Sequence, residues 1–130
     1  VTALADIELE LITRSTARFP DAVVRDELDN NLLNELPTIR FQQVPAGSDD
    51  GLLLARFLVD MDVFGATRAD AITWSRAVHA WLTGELPGTA GETVVFGRIR
   101  ALTLPGPRDY ENTALRRMGA TYEIFCHPVP

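Results

Sequence analysis

The sequence predicts an α+β fold: a mostly antiparallel or mixed β-sheet with two helices packed on one face. Two observations predict it. Residues 56–82 run a strand pattern straight into a helix pattern, and the order along the chain is helix, several strands, helix, two strands, without internal repeat. With 130 residues and 46 % hydrophobic content, residues 1–130 suffice for one domain with a core of its own and are too few for two.

In the central stretch, Phe57, Val59, Met61 and Val63 alternate with Leu58, Asp60, Asp62 and Phe64, which predicts a half-buried strand. Thr67 stands where an N-cap belongs, with Asp70 three positions on, so hydroxyl and carboxylate can both accept from unpaired N–H groups of the first turn. Ala71, Trp74, Ser75, Val78, Trp81 and Leu82 then form one stripe, and Gly84 offers a left-handed residue to end the helix. Trp74 and Trp81 could anchor a partner, but a stripe at this spacing reads as core for both.

Upstream, a first helix is predicted over about Ala3–Arg18, with Leu4, Ile7, Leu11, Ile12 and Ser15 on one face and acids Asp6, Glu8 and Glu10 at the positive end of its dipole. Phe19-Pro20 ends it. Val23-Val24-Arg25 suits a short edge strand, and residues 26–35 a loop or one helical turn. A strand over Thr38–Val44 places Ile39 and Phe41 on one face. Residues 45–51, rich in Gly, Asp and Pro, predict a turn or mobile loop between antiparallel strands. Leu52–Phe64 is long for one strand, so a bulge, bend or projecting arm is expected there. Downstream, Thr93–Leu104 reads as a strand with Val95, Ile99 and Ala101 opposite Phe96, Arg98 and Arg100. Residues 105–119 keep no period and read as a long irregular loop, before a last strand over Thr121–His127 with Tyr122, Ile124 and Cys126 on one face.

The net charge of -6 disfavours a general nucleic-acid coat, which needs surplus cations. Residues 1–36 carry eight acids against three arginines, and residues 67–130 six acids against seven arginines. Such a two-faced distribution can orient docking between neighbouring subunits; the plainer reading is a solvated acidic helix and loop. All twelve basic residues are arginine, which points to a high-GC coding sequence. No apolar run of about 18 residues and no signal-like start are present, which predicts a soluble chain made in a cytoplasm, with no membrane association. Cys126, alone, excludes an intrachain disulfide.

Asp60 and Asp62 share one side of a strand, as a metal or acid–base pair would, but pairing with Arg98 and Arg100 across the sheet, or exposure to water, is the simpler expectation. His79 and His127 stand apart, and Cys126 and His127 point to opposite faces, so no zinc site or thiol nucleophile is expected. No phosphate loop, dinucleotide glycine pattern or nucleophile elbow occurs, and no cofactor or catalytic residue is expected. The segment Arg108-Asp109-Tyr110-Glu111 through Arg116-Arg117 mixes residue types that dominate binding interfaces.

Three stretches resemble the tail terminator proteins of long-tailed, non-contractile (siphovirus-type) phages, especially those of actinobacteria. They are Leu36-Pro37-Thr38-Ile39-Arg40-Phe41 before the Gly/Asp loop, residues 59–68 (VDMDVFGATR), and residues 116–123 (RRMGATYE). Their order and spacing carry the resemblance, and the N-terminal third has no part in it. The resemblance implies a non-enzymatic virion protein, assembled in the bacterial cytoplasm and located at the head-proximal end of the tail. There a homo-oligomeric, hexameric ring stops tube polymerisation, meets the tail tube protein and the head–tail connector or neck proteins, and leaves a lumen through which DNA passes without sequence-specific binding. A net negative subunit suits that channel. On this reading Asp49, Asp50, Arg108, Tyr110, Glu111, Arg116 and Arg117 are the expected interface residues, and reversing Arg116 and Arg117 to Glu should weaken the ring without unfolding the subunit. The alternative is another neck or head-completion protein; further off stand a small cytoplasmic ligand-binding domain and a metal-dependent hydrolase built on Asp60 and Asp62.

Overall fold

The computed structural model describes residues 6–28, 32–49, 54–110 and 114–129. Its elements are α1 (Ile7–Arg18), β1 (Val23–Arg25), β2 (Thr38–Asp49), β3 (Ala55–Gly65), α2 (Arg68–Ala80), β4 (Val94–Ala101), β5 (Gly106–Arg108) and β6 (Arg116–Pro128). A 3-10 turn, Leu32–Asn34, interrupts the segment between β1 and β2. The sheet runs β1-β2-β3-β6-β4, with β5 also paired to β6. Only β1–β2 is parallel, so the sheet is mixed and the α+β expectation holds.

β3 is central, paired without a register break to β6 from Ala55↔Cys126 to Gly65↔Arg116 and to β2 on its other side. One core cluster joins its inward residues Phe57, Val59, Met61 and Val63 to Ile39 and Phe41 of β2, Tyr122, Ile124 and Cys126 of β6, Ile7 and Leu11 of α1, and Val78 of α2. Both helices therefore lie on one face. Phe19, where α1 ends, sits edge-on to both Trp74 (6.1 Å) and Trp81 (5.8 Å) and so joins the two helices. Trp81 is buried, whereas Trp74 is half-buried against the core.

Several boundaries differ from expectation, each for a local reason. α1 starts at Ile7, after an extended Asp6 whose carboxylate accepts from the Leu9 N–H at 3.1 Å, and residues 3–5 of the expected helix lie outside the described residues. Thr67 caps α2 as expected, by accepting from the Asp70 N–H. Gly84 does not stop that helix. A π-helical turn, Trp81–Glu85, closes with the Leu86 N–H donating to the Trp81 carbonyl, and this wider turn brings Trp81, Leu82 and Leu86 all into the core. The left-handed glycine is Gly88, at φ +84°.

Of residues 45–51, expected as a turn or mobile loop, 45–49 continue β2, and 50 and 51 lie outside the described residues. The register shifts between Gln43 and Gly47, so the irregularity expected in the 52–64 strand lies in its partner, while β3 itself is regular. Beyond Arg40, β2 has no β1 partner, so the missing N–H of Pro45 costs no ladder bond on that side. In β4 a second shift, between Phe96 and Ile99, reverses the predicted facing: Phe96 and Ile99 both enter the core, and Val95 is only half-buried. The 105–119 segment is not wholly irregular either, since β5 pairs with the start of β6 through Gly106↔Gly119, Pro107↔Met118 and Arg108↔Arg117.

Candidate functional site

The face of the sheet turned away from the helices carries the charged residues. Asp62 projects from the middle of β3 and is buried, at 1 % side-chain exposure. Three arginines from three strands converge on it: Arg40 Nη2 donates to Oδ2 at 2.8 Å, Arg117 Nε to Oδ1 at 2.9 Å, and Arg108 Nη1 lies 3.4 Å from Oδ1. The second Arg117 contact, Nη2 to Oδ2 at 3.1 Å, makes that pair bidentate. Gly119, directly across from Asp62, leaves the space they occupy, since a Cβ there would lie 2.6 Å from Arg108 Nε. Asp60, 32 % exposed, accepts from the Thr121 hydroxyl and lies 3.8 Å from Arg108.

Asp60 and Asp62 are thus engaged by arginine, but not by Arg98 and Arg100, as the sequence led one to expect. β4 is two strands away from β3, and β2, β5 and β6 deliver the partners instead. Arg100 pairs with Glu123 at 3.1 Å, alongside Arg56. The Arg56 hydrogen bond, with the charges of Arg100, Arg56 and Arg98, holds the Glu123 carboxyl below its ordinary range against the opposing effect of burial. Among the described residues, no group of three or more His, Cys, Asp and Glu side chains is placed to hold a metal. His79 Nδ1 is 2.7 Å from the Tyr122 hydroxyl, whose pKa burial raises. Burial, with a contribution from the Glu10 charge, pushes the Cys126 thiol up to about 11.

At one end of the same face, Phe64, Leu115 and Leu32 form a second small core, with Tyr110 edge-on to Phe64 at 5.1 Å and the Arg40 guanidinium 5.4 Å from the Phe64 ring centre. Beside it a cleft of about 270 Å³ is lined by Arg68 at the start of α2 and by Arg108, Asp109, Tyr110, Arg116 and Arg117. At the β1–β2 edge a second cleft, of about 420 Å³, is lined by Glu8, Asp26, Glu27 and Asp60 together with Gln42 and Pro45, and among the described residues by no basic one.

Of the expected interface residues, Arg108, Tyr110, Arg116 and Arg117 thus come together around one cleft. Asp49 is placed by its backbone, opposite Ala55 at the end of β2, and Asp50 and Glu111 lie outside the described residues. Arg117 is committed to Asp62, so a glutamate there would face a buried carboxylate. Arg116 is exposed, so Arg116→Glu alone separates an effect on assembly from an effect on the Asp62 cluster. Arg40 and Arg68 were not foreseen, because the strand order that brings them to this face is not written in either local pattern.

No protein-family model matches the chain, and neither does any curated protein. Among solved structures its fold is similar to that of a chain described as belonging to the virion of a native gene transfer agent particle. The TM-score is 0.60 at 18 % identity, over 85 % of this chain and 83 % of that one. At that identity the likeness is one of fold.

Asp62→Asn is expected to cost about 3–5 kcal/mol, because it leaves converging arginines without their carboxylate, whereas Asp60→Asn should cost about 0–1 kcal/mol. Urea denaturation checks this, and equal small losses would contradict the assignment. The lowered Glu123 pKa gives a stability contribution complete above the ordinary Glu value of 4.5 and lost as pH falls through the lower folded value. The difference in Tm between wild type and Glu123→Gln should therefore narrow on acidification from about pH 7 to about pH 3; a constant difference would refute the linkage.

Proposed function

We propose that this chain is a structural subunit of a phage-type virion. In the finer reading it is a tail terminator: six copies close into a ring on the head-proximal end of the tail tube, stop its growth, and join the tail to the neck proteins around a DNA channel. The observation that carries the virion reading is the fold likeness to a gene transfer agent virion chain over more than four-fifths of both chains. The three ordered stretches at residues 36–41, 59–68 and 116–123 support the terminator assignment. They fall on the start of β2, on β3 with the start of α2, and on β6, which are the elements that build the Asp62 cluster and the arginine cleft. The work of such a subunit is contact rather than chemistry. A closed ring needs two different surfaces on each copy, and its contacts are assigned to the faces around Asp49, Asp50, Arg108, Tyr110, Glu111, Arg116 and Arg117.

Removing the protein from assembling particles tests the role. A terminator's absence should leave filled heads and overlong tails, seen by negative-stain microscopy. Leaking heads beside tails of normal length would contradict it and assign the protein to the head side of the neck.

A further inference from the structure

The two clefts are opposite in charge and open toward opposite edges of the sheet, approaching each other at Asp60 and Arg108, 3.8 Å apart. The acidic one is built on β2 and the segment after β1, with Glu8 of α1 and Asp60 of β3; the arginine one lies on β5, the start of β6 and the start of α2. With β3 and β6 between them, β2 and β5 stand about 14 Å apart across the sheet. Resting on the ring reading above, we infer that the arginine cleft of one copy receives the acidic β2 edge of a second copy, head to tail.

Charge complementarity identifies the occupant. Arg68 and Arg116 are exposed on one side, and Asp26 and Glu27 are exposed on the other. Opposite edges of one chain that match each other in this way form a heterologous contact, which repeats around a ring until it closes. Two copies meeting by like edges would set mostly arginine against arginine or acid against acid, which opposes a two-fold dimer through either edge.

Strand addition does not supply this contact. β5 has three residues with Pro107 at its centre, and the outer part of β2 carries Pro45, so each edge lacks an N–H where a ladder would need one. Side chains therefore make the joint.

Sedimentation of the native protein in low and high salt tests the inference. The variants are Arg68→Glu with Arg116→Glu, which makes both edges acidic, and Asp26→Arg with Glu27→Arg, which makes both basic. The wild-type oligomer should dissociate between about 0.1 M and about 1 M salt, as the screening length falls from ~10 to ~3 Å. Each variant alone should associate at least about tenfold more weakly, and an equimolar mixture should restore the oligomer with alternating copies. Oligomers unchanged in both variants would overturn the inference. So would a mixture that stays dissociated while each variant keeps the wild-type denaturation midpoint. Should a variant fail to fold, the wild type decides, because an oligomer indifferent to salt overturns the charged joint. A wild type that is monomeric at every salt, with or without tail tubes, would instead overturn the ring itself.

Discussion

A single buried carboxylate organises the outer face of this sheet. Asp62 draws Arg40 from β2, Arg108 from β5 and Arg117 from β6 onto β3, so four strands share one electrostatic centre. Taking charges out of water is expensive, and a buried ion cluster is weak evidence of net stability by itself. Its effect here is positional. β5 is only three residues long and could not hold its place through three pairs alone; the Arg108 side chain anchors it, and Gly119 leaves room for the anchor. Arg40, held by the same carboxylate, also lies against Phe64, which with Leu115 and Leu32 forms the small second core. The arginine cleft is thus a consequence of the cluster: Arg108 and Arg117 line it because Asp62 fixes them there.

Much of the fold was legible because β3 and α2 carry strong, uninterrupted periods. Thr67 announces its helix, and the alternation from Phe57 to Val63 identifies the inward face without ambiguity. Legibility failed where a register shift or a wider turn breaks the period. The shift between Phe96 and Ile99 reverses a facing that strict alternation would assign, and the π-helical turn moves the helix stop from Gly84 toward Leu86 and Gly88. Composition misled at 45–49, where proline and glycine are tolerated because that part of β2 lies at an edge. The site was legible in part. Arg108, Tyr110, Arg116 and Arg117 stand out as an interface-like group in the sequence, but Arg40 and Arg68 join them only through the strand order β2-β3-β6, a long-range property that no local pattern encodes.

The helix-covered face is closed and apolar, whereas the other face and the two edges carry charge of opposite sign. That division suits a subunit whose stability comes from one side and whose contacts come from the rest. Glu123, between Arg56 and Arg100, and Asp62, among its three arginines, spend most of their charge inside the subunit. At the rims of the clefts, Arg68, Arg116, Asp26 and Glu27 are exposed.

Light scattering on the purified protein, alone and with purified tail tubes, tests the central claim most directly. A mass of six copies, either free and able to bind tubes or formed on tube ends, is the result expected of a ring that caps the tail. A persistent monomer or dimer indifferent to tubes would contradict it.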